Sequence, residues 1–487
     1  MYSEIKVKTI AKNSLYNIAG FVLPIISALV AIPFIIKGFG VERFGFLTLS
    51  WAIVGYFNLF DFGISRALTF YISSAISKKD LKEIKYIVCT AIAMMLFFGL
   101  IGGIILFLLS KLIIFDLLNI STNLQVEFQD SIKILSLIIP MVIISTALKG
   151  VLEAYQCFFQ SNIIQTFIGI GNFLSPLFIL FFSTSMTYIV IAMIIIRLIA
   201  LFMYFIVLGR LIPDIFREFQ VKGPYIKVLL SYGGWIFISS VVGPVMVYFD
   251  RFFIASVISV SEATYYTTPF EIVTKVTIIS VAISSALFPF LTSSMIQDKA
   301  KAITAFDRVI GYVFLITFPI MLLIISFSNI FLSLWINKDF ADKSSEVLQW
   351  LSIGVFLNCI AFIPLSFIHA LKRPDITAKI HLVELPFYIL ILVVLTNEFG
   401  IKGSAITWTL RTGIDGLIMF YMSYKLMNET LSVIIKNGAI IIMSLLFSLV
   451  GLISFNQSEI LYFNAFLFFI YLIISWKLIL TDTKIQR

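Results

Sequence analysis

The stretch NLFDFGISRALTFY, residues 58–71, sets an acid and an arginine, Asp61 and Arg66, inside a long run that is otherwise apolar. Two ionisable groups there are easy to accept in a soluble protein and costly in a membrane helix. How they read depends on the solvent of the chain. Hydrophobic residues make up 60% of the sequence and charged residues only 13%, and the mean hydropathy is +1.06. A soluble domain carries roughly 25% charged residues. With so little polar surface, lipid has to be the solvent.

The net charge of +9 does not point to nucleic acid, because the basic residues fall in short loops between apolar segments instead of clustering with aromatics. Cys89, Cys157 and Cys359 show no metal or disulfide spacing, and His369 and His381 are not spaced as ligands on one helical face. Neither a cofactor nor a metal is expected. The apolar stretch after the basic N-terminus lacks a small-residue cleavage site and reads as a first membrane helix, not a signal peptide.

Apolar runs follow one another at 13–36, 44–76, 85–110, 131–152, 161–183, 187–209, 228–249, 263–294, 309–335, 347–371, 379–397, 402–426, 433–454 and 460–480. The expectation is an all-α polytopic membrane protein of about fourteen transmembrane helices, or twelve if the weakest runs are dropped. Lysine and arginine give the orientation. With the N-terminus cytoplasmic, that side holds Lys6, Lys8, Lys12, Lys78, Lys79, Lys82, Lys85, Arg210, Arg217, Lys222, Lys227, Lys299, Lys301, Arg308, Lys372, Arg373 and Lys379, among others. The opposite side keeps only Lys37, Arg43, Lys111, Lys133, Arg251, Lys338, Lys343 and Lys402. So sustained a bias places both termini in the cytoplasm.

The chain also resembles itself. Shifted by 220 residues, Val22, Pro24, Glu42, Thr48, Ser65, Phe70, Ser73, Ser74, Ile76 and Lys79 fall on Val242, Pro244, Glu262, Thr268, Ser285, Phe290, Ser293, Ser294, Ile296 and Lys299. Six helices per half preserve orientation, so the repeats would be parallel. The expected organisation is a first six-helix bundle at 1–215, a second at 216–430, and an added helix pair at 431–487, with a cleft between the bundles. The charged, Pro/Gly-containing segment GRLIPDIFREFQVKGPY suits a cytoplasmic linker.

Within the spans lie the bases Arg66, Arg197, Lys275 and Arg411 and the acids Asp61, Glu271, Glu384 and Asp415. Facing lipid, each costs about 2.5–3.5 kcal/mol, so each should face protein or water. Asp61 and Arg66 are five apart and point to different partners. Glu271–Lys275 and Arg411–Asp415 are four apart and have the spacing of helix clamps. Arg66 and Arg197 have no local acid and read as cavity-lining. Arginine suits a phosphate, through a planar fork that stays charged. An anionic substrate is therefore favoured over a drug cation. Tyr56, Tyr71, Tyr265, Tyr266 and Trp235 would be able to stack sugars, though a core or interfacial role is the simpler reading.

The segment NSLYNIAGFVLPIISALVAIPFIIKGFGVERFGFLTLSWAIVGYFNLFDFGISRALT closely resembles the N-terminus of bacterial Wzx-type oligosaccharide flippases, above all at Gly40–Gly45 and at DFGISRA, residues 61–67. These share a superfamily with the multidrug and toxic compound extrusion (MATE) carriers and the lipid II flippase. The resemblance implies a MATE-like fold around a central cavity and a function in moving undecaprenyl-pyrophosphate-linked oligosaccharide from the cytoplasmic to the periplasmic leaflet of the inner membrane, for O-antigen or a related polysaccharide. It implies a basic cavity, matched here by Arg66, Arg197, Lys275 and Arg411. It also implies coupling to a proton or sodium gradient, with Asp61 or Glu271 as carriers. The polymerase and chain-length regulator of the pathway are expected partners besides membrane lipid. The competing readings are a drug or metabolite exporter of the same superfamily and, from another class, a membrane glycan polymerase or ligase. The latter would need a large external loop bearing catalytic residues, and the longest external segment, 110–131, has none.

Overall fold

The computed structural model describes residues 7–57, 64–78, 80–215, 219–284, 298–371 and 373–427, with a few isolated positions besides; the side chains of 7–21 and 231–244 and of Arg66 are not among what it describes. All regular structure there is helical: α1 (Val7–Phe39), α2 (Val41–Phe57), α3 (Ile64–Lys78), α4 (Leu81–Lys111), α5 (Gln125–Leu135), α6 (Ile138–Ala154), α7 (Phe158–Ile179), α8 (Met186–Leu211), α9 (Gly223–Val257), α10 (Val260–Val273), α11 (Lys299–Trp335), α12 (Lys338–Ala370) and α13 (Pro374–Met427). Nine helical stretches among the described residues are long and apolar enough to cross a membrane. The expected span 44–76 falls on α2 and α3, and 131–152 on the end of α5 with α6. The spans 433–454 and 460–480 lie outside the described residues, as does Asp61.

Polar punctuation in the sequence becomes helix ends. The Asp80 carboxylate accepts from Glu83 N (2.9 Å) at the start of α4, and Asp298 accepts from Lys301 N (3.1 Å) at the start of α11. Each satisfies a donor that the first turn leaves open. Asn337 does the same for α12, accepting from Phe340 N at 2.8 Å. At the other extreme, α13 runs for 54 residues, far beyond the roughly 20 that cross a bilayer. Gly400, at φ +61°, bends it into two arms, 374–399 and 401–427. Gly40 takes φ +86° between α1 and α2.

The chain forms two compact units, Met1–Thr264 and Tyr265–Arg487. The repeat boundary near residue 215 follows sequence similarity, whereas this division follows contact, and the two differ by α9 and the start of α10. In the first unit the centre is α6, whose span is 67% buried; in the second it is α12, at 72%. Small residues let neighbours approach α6. A side chain on Gly99 would meet Pro140, one on Gly103 the Ser136 carbonyl, and one on Gly150 the Ser65 carbonyl, while Thr69 Oγ1 donates to Gly150 O at 3.1 Å. Around α12, Gln349 Nε2 donates to Ser328 Oγ (3.0 Å) and Thr409 Oγ1 to Trp350 O (2.7 Å). Lipid is as apolar as a leucine face, so close approach and interhelical hydrogen bonds have to hold such helices together.

Four connections of the first unit interlock at one end. Glu42 accepts from both Ser121 N and Ser121 Oγ at 2.7 Å, and Arg43 makes a two-pronged pair with Glu127, which also accepts from Met186 N at 2.6 Å. Asn119 N donates to Ala255 O (2.9 Å), Asn119 Nδ2 to Ile258 O (2.6 Å), and Thr264 Oγ1 to Val41 O (2.8 Å). Gly45 lies so close to the Val260 carbonyl that no side chain fits. The glycine pair of the family-like motif is thereby explained: Gly40 supplies a left-handed turn, Gly45 a contact surface.

Replacing Gly45 with Val should lower the melting temperature of the detergent-solubilised protein through overpacking of about 1–3 kcal/mol, and Gly40→Ala should cost about 1–2 kcal/mol in the left-handed turn. Gly311→Ala in α11, where an added Cβ meets nothing, should be neutral or slightly stabilising by the helix preference of about 1 kcal/mol.

Candidate functional site

A charge in a membrane helix is expensive unless protein encloses it, so each such residue is a pointer to function or to a structural pair. On α8 the buried positions recur three or four apart, from Met186 through Val190, Met193, Ala200 and Tyr204 to Leu208, and Arg197 lies on this same stripe with 7% of its surface exposed. Helices α5, α6 and α7 pack against α8. Beside Arg197 in the stripe, the Tyr204 hydroxyl accepts from Gln165 Nε2 at 2.8 Å. No carboxylate among the described residues forms an ion pair with Arg197. The side chain of Arg66 lies outside the described residues, although its backbone belongs to α3.

In the second unit the spacing of Glu271 and Lys275 closes as a pair, Nζ to Oε2 at 3.2 Å, at the point where α10 tightens into a short 3₁₀ turn at Thr274–Thr277. Arg411 and Asp415 do not pair. Asp415 faces His381 from the other arm of α13, Nε2 to Oδ1 at 3.4 Å, and Glu384 lies in the same group; the ligand-type atoms of His381, Glu384 and Asp415 lie within 4.8 Å of one another. The guanidinium of Arg411 sits 5.8 Å from the ring centre of Tyr388. The spacing of the histidines addressed only a single helical face, and this group is assembled across two arms. Periodicity finds neighbours one turn apart and is blind to a residue 34 positions on.

Of the aromatic candidates, Tyr265 and Tyr266 lie in the core, Tyr56 and Tyr71 are half-buried, and the Trp235 side chain lies outside the described residues. Tyr266 is fully buried and packs near Phe270 at 5.9 Å, and Tyr265 packs on Phe340 at 4.9 Å beneath the Lys343 ammonium at 4.7 Å. The site candidates are therefore charges held singly or in pairs within each unit.

Such an assembly, apolar helices around a few enclosed cations and acids, is that of a polytopic membrane protein. Solved structures share its fold. One is an inward-facing multidrug resistance MATE family transporter of the MOP superfamily, with TM-score 0.69 and 13% identity, covering 85% of this chain and 94% of that one. Another is the lipid II flippase MurJ in an inward closed conformation, with TM-score 0.68 and 15% identity, covering 98% of this chain and 100% of that one. At these identities the likeness shows the fold alone.

The chain belongs to the family described as "Polysaccharide biosynthesis protein", whose profile matches residues 39–345. Along 421 residues it is 30% identical to the Shigella flexneri protein named "Putative O-antigen transporter", covering 85% of this chain and 97% of that protein. These relatives are transporters and not enzymes.

If Glu271 and Lys275 form a structural clamp, neutralising both (Glu271→Gln with Lys275→Gln) should restore stability that either single change removes, with a coupling of about 0.5–1 kcal/mol in a double-mutant cycle. A substrate-binding Lys275 would instead leave the double variant stable and inactive in transport.

Proposed function

We propose that the protein moves undecaprenyl-pyrophosphate-linked oligosaccharide repeat units from the cytoplasmic to the periplasmic leaflet of the bacterial inner membrane, for assembly of O-antigen or a related surface polysaccharide. The observation that carries this reading is the near full-length match to a relative whose own name describes O-antigen transport. Physical chemistry supports it. A pyrophosphate crossing hydrocarbon needs cations that remain charged at depth, and arginine provides them with matching fork geometry. Arg197 and Arg411 lack ion-paired carboxylates among the described residues, so their charge is available to an anion. Arg66 joins them by its depth in the sequence. Lys275 becomes available when Glu271 is protonated, which gives Glu271 a role in coupling to a proton gradient; Asp61 is the matching candidate in the first half.

In this reading about fourteen helices form two parallel six-helix repeats plus a C-terminal pair, with both termini cytoplasmic. Rocking of the two halves gives alternating access, while the polyprenyl tail stays in lipid. The pathway's polymerase and chain-length regulator would act on the delivered units.

The test is a deletion strain in which polyprenyl-linked oligosaccharide is assayed by leaflet. Intact units should accumulate on the cytoplasmic face and be cleared by the wild-type gene, with clearance reduced at least tenfold by Arg197→Ala or Arg411→Ala. Units that reach the periplasmic face unpolymerised, or a deletion that alters only drug susceptibility, would refute the flippase reading.

A further inference from the structure

The bend at Gly400 sets the two arms of α13 side by side, with His381 and Glu384 on the first and Arg411 and Asp415 on the second. Glu384 is the most enclosed of the four. Only 9% of it is exposed, and both carboxylate oxygens are shut off from solvent without a hydrogen-bond partner. Arg411 Nε is likewise enclosed and without an acceptor. Asp415 is turned toward His381 at 3.4 Å, and Arg411 toward the Tyr388 ring. The charged and titratable groups that act on Glu384 are Asp415, His381 and Arg411; among the described residues α12, which packs against α13, adds none.

The Glu384 carboxylate is the group this cluster leaves uncompensated: both of its oxygens are enclosed without a donor, and an ionised carboxylate is not sustained in such a setting. One added positive charge at Glu384 relieves this. A divalent ion would overshoot beside Arg411. A hard alkali or alkaline-earth ion seeks about six oxygen ligands, and this cluster offers two carboxylates and a ring nitrogen. A single proton meets the charge requirement and needs no further ligand.

We propose that Glu384, flanked by Asp415, His381 and Arg411, is a proton-binding site, in which the Glu384 carboxyl is the carrier of one exchangeable proton. With the proton on, the O–H bond of a neutral carboxylic acid sits in the enclosed pocket, Asp415 remains ionised against His381, and Arg411 stays over Tyr388. When that O–H bond breaks and the proton leaves to water, Glu384 becomes a carboxylate and draws the Arg411 guanidinium off the ring toward itself. The proton state thereby sets how the two arms are cross-braced. Its use in a transport cycle rests on the function proposed above; the site itself does not.

The experiment is infrared spectroscopy of the full-length protein in lipid nanodiscs, following the carbonyl band of a protonated carboxyl through a pH titration. Wild type should show one such band that disappears as pH rises, and Glu384→Gln should lack it. Arg411→Met removes a cation that favours the carboxylate, so the midpoint should move up by about one pH unit or more. If Glu384→Gln does not fold, Glu384→Asp should keep a titrating band with a displaced midpoint. A titration unchanged by Glu384→Gln would overturn the proposal. So would loss of the band at fixed pH on adding sodium or manganese chloride, which would make the cluster a metal site. The band is read without substrate, so failure of the leaflet assay and failure of this site are separate results.

Discussion

In hydrocarbon, no water is available to take over a polar group that the protein leaves open. That constraint organises this chain from end to end. It makes every described element a helix, because only a helix satisfies its own backbone within one pass. It puts Asp80, Asp298 and Asn337 at helix starts, where the first turn has donors to spare. It also dictates that cations such as Arg197 lie on the enclosed stripe of their helix and not on the lipid face. Attraction between helices then has to come from close approach, and the glycines that line α4 and α6 supply it. The centres of the two units, α6 and α12, are the places where such contacts are densest.

The same constraint explains what was legible in the sequence. Span positions and polar punctuation follow from runs of apolar residues and their interruptions, which are local properties, whereas the MATE-like fold was implied by the resemblance at Gly40–Gly45 and residues 61–67. The Glu271–Lys275 pair was legible because it closes within one turn. Arg411 and Asp415 have the same spacing and do not pair, because Asp415 has a partner across the bend at Gly400. No periodicity along α13 announces that His381 and Asp415 meet. The signal that would have found the cluster is the length of α13 itself: two antiparallel passes joined at one glycine bring residues on either side together in nested order about that glycine. The motif at Gly40 and Gly45 was visible as a motif, but its reason, a left-handed turn and a carbonyl pressed against a bare Cα, required coordinates.

A transporter must reconcile enclosed charge with a passage for a charged cargo. Here the charges fall into different states of commitment. Arg43 and Glu127 are committed to one another. Among the described residues Arg197 is enclosed without an ion-paired carboxylate, and Glu384 without a hydrogen-bond partner for its carboxylate. The first kind fixes the scaffold, and the second kind leaves room for a ligand or a proton. Sorting ionisable residues by commitment, more than by depth, separates architecture from function in this chain.

Asn119 and Ile258 lie 139 positions apart and still share a hydrogen bond. The loop ends near Asn119 and Val41 thus acquire their full set of partners only after α9 and the start of α10 have been synthesised and inserted. Helices α1–α8 would leave the ribosome with these connections unfinished, waiting on α9. The same separation governs recombination between relatives. A hybrid joined near residue 215, where the repeat suggests a seam, parts Asn119 from Ala255 and Ile258 and Gly45 from Val260. A hybrid joined after Thr264 inherits these matched surfaces from a single parent.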